Sequence, residues 1–172
     1  MAFTLYDATV PQFLQLLAGV RAVLDKGLQH AQAVGLDPEE LADARLIEDM
    51  FPLHQQVQLV AHHSAGALRD VAAGSFTFPS RERLGYTAMQ KLVADSEAAV
   101  QGWSREAVDA LADREVVFEA GGARREFRGA GFLTSFSTPN VYFHAVTAYD
   151  ILRAKGAPIG KRDYLGRMQT QA

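Results

Sequence analysis

The sequence predicts a mainly helical single domain built around four long helices, with a small β-hairpin between the third and the last. Three observations predict it. Apolar residues recur at spacings of three and four in four separate stretches, which is the mark of one-sided helices. Between the third and fourth stretches, two short runs flank a glycine pair, as a hairpin does. The 172 residues are 48% hydrophobic and 22% charged, with no internal repeat and no low-complexity linker. That suits one globular domain over residues 1–172.

The first helix is expected over residues 10–33. Val10, Phe13, Leu17, Val20, Leu24 and Leu28 form its apolar face. Pro11 at its start costs little there, and Gly35 is placed to cap its end. Pro38-Glu39-Glu40-Leu41 reads as a short helical turn capped by Asp37. The second long helix is expected over residues 52–73, with Leu53, Val57, Val60, Ala61, Leu68 and Val71 on its apolar side and Gly74 ending it. Residues 75–80 read as a loop, with Ser80 as the cap of a third helix reaching Gln101. Residues 104–112 read as another short helix. Glu115-Val116-Val117-Phe118-Glu119 and Arg124-Arg125-Glu126-Phe127 then flank Gly121-Gly122 as the hairpin. A lone hairpin is marginal, so it should lie against the helices. After a turn at residues 129–131, the last helix opens near Thr138-Pro139-Asn140, with Ser137 or Thr138 as cap, and runs to Arg153. It is apolar nearly all round, so it should be the most buried helix. A polar, basic tail follows. Four long helices with connections of varied length fit a bundle; an irregular helical array is the rival.

Composition excludes several kinds of chemistry. Without cysteine, disulfides, thiolate metal sites and a cysteine nucleophile are ruled out. A net charge of −3 and an isoelectric point near 5.9 argue against a general nucleic-acid binder. No apolar run approaches the roughly 20 residues that span a bilayer. The opening residues lack the basic and apolar regions of a signal peptide. A cytoplasmic protein is expected, with no nucleic-acid or membrane partner.

The histidines and their neighbours are the candidate chemistry. His54 falls at one edge of the second helix's apolar stripe. His62 and His63 point away from the stripe centre and are expected on the solvated surface. His144 lies in the last helix, where Asn140, His144 and Thr147 share one side at i, i+4 and i+7. A polar file inside an apolar helix lines a pocket or forms a satisfied core network. Asn140, His144, Thr147 and Tyr149 are therefore the candidate ligand-binding residues. A metal held by two residues of the last helix would need a ligand at position 148 to join His144, and Ala148 stands there. His54 is the candidate partner of His144 across the helices. Ser135 and Ser137 have no G-x-S-x-G context, so serine hydrolase chemistry has no support.

The run from Pro139 through Arg153, followed by Gly160-Lys161-Arg162-Asp163-Tyr164-Leu165-Gly166, resembles a bacterial domain-of-unknown-function family. Asp49-Met50-Phe51-Pro52-Leu53 with Gln56-Val57-Gln58, and Leu5-Tyr6-Asp7, add to the likeness, which spans essentially the whole chain. That family sits in the DinB/YfiT-like metalloenzyme superfamily. The resemblance implies an up-and-down four-helix bundle, often a homodimer. It also implies metal-dependent relatives, among them thiol transferases using bacillithiol or mycothiol. Their metal is held by one histidine of the second helix and an H-x-x-x-H pair of the last. His144 matches the first of that pair and Ala148 replaces the second. The expectation is a bundle protein without an intact metal site, binding a small molecule near His144. The alternative is a metal-dependent thiol transferase or hydrolase-like enzyme, carrying zinc or nickel on His144 and a second-helix histidine.

Overall fold

The computed structural model describes residues 2–120 and 122–168 of the chain. Gly121 of the expected hairpin turn, Met1 and the last four residues lie outside them. The fold is mainly helical with a small sheet.

α1 spans Leu5–Val34, so it starts earlier than the apolar periodicity suggests and carries Pro11 inside it. The Asp7 carboxylate sets this start by accepting from the backbone N–H and the hydroxyl of Thr4. Arg105 grips the same carboxylate through both terminal nitrogens. α2 (Pro38–Asp43) is capped by Asp37 as expected, with the Glu39 N–H donating to its side chain at 3.0 Å.

The second long helix comes in three parts: α3 (Leu53–Ala61), a π-helical turn (His62–Gly66) and α4 (Ala67–Ala73). Gly74 ends it at φ 81°, a left-handed cap that glycine adopts without strain. The segment after it is not wholly loop. Ser75–Phe76 form β1, which pairs in parallel with β2 (Glu115–Ala120). β2 pairs antiparallel with β3 (Ala123–Arg128), so the hairpin belongs to a three-stranded sheet of order β1-β2-β3.

α5 spans Tyr86–Gln101, later than a Ser80 cap implies. Its first N–H, on Tyr86, donates to Glu39 Oε1 at 2.9 Å. The cap thus comes from α2 across space, and the Ser80 hydroxyl instead accepts from the Glu82 N–H within the loop. α6 (Arg105–Asp109) is capped by Ser104.

The last long helix opens well before Pro139. α7 (Gly129–Gly131) leads through a second π-helical turn (Phe132–Ser137) into α8 (Thr138–Ala154). Ser137 and Thr138 therefore cap nothing. The wider turn accommodates Pro139, which has no N–H to give, and side chains take up carbonyls around it. Thr138 donates to Leu133 O and Asn140 to Phe136 O. In the tail, α9 (Lys161–Leu165) docks on α1. Gln15 donates to Leu165 O and Lys26 pairs with Asp163, and Gly19 leaves room for the Tyr164 carbonyl, where any Cβ would collide.

α1 packs against α5 and α8, and α3 packs against α8 and α5. α8 is not the most buried helix: Phe143 is 58% exposed and Val146 41%. That place belongs to α3, where every residue except Gln55 is buried. α3 has α8 on one side and α5 on another, so its polar residues are enclosed along with its apolar ones. The sheet joins the helices through phenylalanines: Phe76 packs on Phe118, Phe132 and Phe136, with ring centroids 4.9–5.7 Å apart.

Candidate functional site

Between α3, α8, the sheet and the loop before α5 lies a cavity of about 350 Å³. Its buried end is made by His63, Leu59 and His144. Its mouth carries side chains that remain exposed, Phe51, Phe78, Arg81 and Arg125.

The helices present the buried residues by simple periodicity. Gln55, Leu59 and His63 recur every four residues along α3 and into the π turn, so they share a face. Phe136, Asn140 and His144 do the same along the opposing helix. The π turn begins at His62, and such insertions are frequent at functional sites. It lies where two consecutive histidines diverge: His63 lines this cavity, and His62 lines a separate groove of about 460 Å³ against α5.

The two cavity histidines stand together. Their rings are nearly parallel, 15° apart, with centroids separated by 5.9 Å. His144 Nδ1 lies 2.7 Å from Gln56 Oε1. The Gln56 amide nitrogen donates to Phe51 O, which turns the amide oxygen towards the imidazole. Nδ1 of His144 is then the protonated nitrogen, and Nε2 keeps its lone pair. His63 is enclosed by Phe76, Phe136 and His62, and among the described residues its buried Nδ1 has no hydrogen-bond partner. Burial, reinforced by the neighbouring His62 and His144, pushes His63 down to about 3. Burial alone pushes His144 down to about 4. Both are neutral at physiological pH, able to accept or relay a proton but carrying no charge.

The structure corrects the expectation that His62 and His63 are solvated. They are 7% and 2% exposed, because the second helix is covered on more sides than its apolar stripe. Of the residues singled out in the sequence, Asn140 and His144 reach the cavity. Thr147 is buried but turns its hydroxyl back to Phe143 O, one turn earlier in its own helix. Tyr149 packs against Tyr164 of α9, ring centroids 6.0 Å apart. His54 stands two residues from Gln56 and so about 200° round the helix from the side that meets His144. Its charged surroundings are Asp43, Arg45 and Arg83, and burial lowers its affinity for a proton. The imidazole facing His144 is therefore that of His63, not His54. Arg81, Arg125, Phe78 and Phe118 carried no sequence signal, since they come from the loop and hairpin that only the fold brings to α3.

A zinc site draws three or four ligands from the protein. Here Nδ1 of His144 is taken by Gln56, Ala148 one turn on offers no donor, and the other imidazole is His63 alone. Among the described residues, no three His, Asp or Glu side chains are grouped closely enough to share an ion. The residues present do not make up the superfamily's metal site.

The fold has a solved relative. A crystal structure of a DinB family member protein from Shewanella denitrificans matches with a TM-score of 0.81 and 30% sequence identity, covering 98% of this chain and 95% of that one. No curated protein matches the chain. Residues 5–165 match the family described as "Domain of unknown function (DUF1993)", and with nearly its whole length inside that match the chain belongs to this family.

Proposed function

We propose that this protein binds a small molecule in the cavity at His63 and His144, and does so without the metal its superfamily's enzymes use. The observation that carries this reading is the cavity floor, where two neutral imidazoles face each other; Ala148, one turn on from His144, brings no donor to them. A cavity of about 350 Å³ with phenylalanine walls and a few converging polar groups fits the usual form of a small-molecule site. The four long helices form its scaffold as an up-and-down bundle, supported by the way α1 and α3 each pack against α5 and α8. Asn140 orients the ligand from the wall, and His144 offers it Nε2.

A second reading has one observation in its favour. The near-parallel His63 and His144 rings would serve as two ligands of a zinc or nickel ion in a metal-dependent transferase or hydrolase, with the rest supplied by substrate and water. Calorimetric titration of the metal-free protein with zinc and nickel separates the two. Absence of stoichiometric uptake is expected. One equivalent bound by the wild type and lost in His144→Ala would replace the first reading with the second.

No helix among the described residues is long and apolar enough to cross a membrane; with no cysteine in the chain, we place the protein in the cytoplasm. A second copy is the proposed partner, through the exposed Tyr142, Phe143 and Val146 of α8. Sedimentation as a monomer at micromolar concentration would refute that.

A further inference from the structure

We propose that the ligand of this cavity is a small carboxylic acid with an apolar body, its carboxylate held by Arg125 and Arg81 at the mouth. This rests on the cavity being a ligand site and adds the chemical class. The sheet supplies the first argument. Residues directly opposite on antiparallel strands share a face. Arg125 pairs with Phe118, whose ring is buried, so the arginine stands on the face turned to the helices. The outward face is organised differently. There Arg124 pairs with Glu119 and Glu126, and Arg128 with Glu115. Of the three arginines of β3, Arg125 is the one without a carboxylate partner among the described residues.

Arg81 repeats the pattern across the mouth. Arg83, two residues on, is held by Glu39 and Asp43, while Arg81 stacks over the Phe51 ring at 5.5 Å. Among the described residues, neither Arg81 nor Arg125 has an ion-pair partner. Among the described residues no aspartate or glutamate lines the cavity, so the charge they bring to it is all of one sign. The groove beside His62 differs, since Glu82 and Asp95 line it together with Arg69. A planar guanidinium at an apolar mouth matches a carboxylate by paired N–H donation. Phe51, Phe78, Phe118 and Phe136 offer ring faces and edges to an apolar body, and the uncharged floor makes no demand for a second charge.

The test uses phenylacetate, 3-phenylpropanoate and isovalerate, each beside its neutral amide. Binding is followed at pH 7 by calorimetry and by the imidazole NMR signals of His63 and His144. At least one acid should bind roughly tenfold more tightly than its amide, a difference of about 1.4 kcal/mol. Arg125→Gln should abolish that preference, and Arg124→Gln, on the outward face, should leave it intact. Acids and amides binding equally well would overturn the carboxylate inference while leaving the cavity as a ligand site. If no probe moves the two imidazole signals at millimolar concentration, both readings fall.

Discussion

The α1–α5 seam and the α3–α8 seam run through the same molecule and are built differently. The first is an apolar joint with polar links at its rim. Phe13, Leu17 and Leu24 of α1 and Met89 and Val93 of α5 are buried, the buried Tyr86 spends its hydroxyl on Leu24 O at 2.8 Å, and Arg21–Glu97 and Gln90–Asp25 pair outside. The second holds Gln56, His144 and Thr147, with His63 just beyond, and α3 with its π turn buries His54, Gln58 and His62 on its other sides. Among the described residues, several buried polar atoms of this second long helix, among them His54 Nδ1, Gln58 Oε1, His62 Nε2 and His63 Nδ1, have no partner. A buried polar atom without a hydrogen bond costs about 1–3 kcal/mol. Keeping several around the second long helix, while none of them lies on α1 or α5, assigns the α1–α5 seam to stability and the surroundings of the second long helix to a site.

The largest test of that division is a cavity cut into the apolar seam. Leu17 is fully buried, and Leu17→Ala should cost about 2–5 kcal/mol in denaturant unfolding. The imidazole signals and any ligand binding should persist in the fraction that stays folded. If binding fails in folded protein, the seams are not separable.

Acid should act on the other seam. The unfolded imidazole has its ordinary value near 6.5, whereas His63 and His144 are held near 3 and 4 when folded. Above pH 6.5 neither state binds the proton and stability is unaffected. As pH falls from there towards 4, the unfolded chain takes up protons that the folded chain refuses, so stability is lost. At pH 5 the loss should be about 2 kcal/mol for each histidine. His63→Leu should remove its own share of about 2 kcal/mol from the loss between pH 6.5 and 5, leaving the shares of His144 and of His54 and His62, which burial also lowers, and should leave stability at pH 7 equal or higher, since it also removes an unpaired buried nitrogen. A curve unchanged in that variant would show that other groups control the slope.

Crowding tests the first seam from the opposite direction. A Cβ on Gly27 would run into the Tyr86 hydroxyl and sit about 3 Å from both Leu152 methyl groups. Gly27→Ala improves helix propensity by up to about 1 kcal/mol. Overpacking should outweigh that gain, for a net loss of about 1–2 kcal/mol. A net gain in melting temperature would mean that α1 and α5 have slack.

The seams also differ in how far the sequence disclosed them. α1, α2 with its Asp37 cap, the hairpin and the Gly74 stop follow from local pattern, because their causes lie within a few residues. The start of α5 was hidden because Glu39 caps it from another helix. β1 was hidden because it is two residues long and exists only beside β2. His63 was misplaced for a different reason. A helical wheel assumes one covered face and a constant turn, and the second helix has cover on several sides and a π turn that begins at His62. His144 and Asn140 were legible because a polar file in an apolar helix is visible without the fold. Their partners, Gln56, Arg81 and Arg125, were not.

The smallest effect is expected where the sequence pointed to a ligand contact and the structure shows a helix bond. The Thr147 hydroxyl donates 2.8 Å to Phe143 O, four residues earlier, a carbonyl that α8 already employs in its own ladder. Valine keeps the β-branched shape and loses only this extra bond. Thr147→Val should therefore change stability by less than about 0.5 kcal/mol and leave carboxylate binding untouched. Asn140→Ala, two turns earlier on the same face and inside the cavity, should weaken binding several-fold. Were the two effects reversed, the polar file would end at Thr147 after all, and the cavity would extend along α8 rather than open between Arg81 and Arg125.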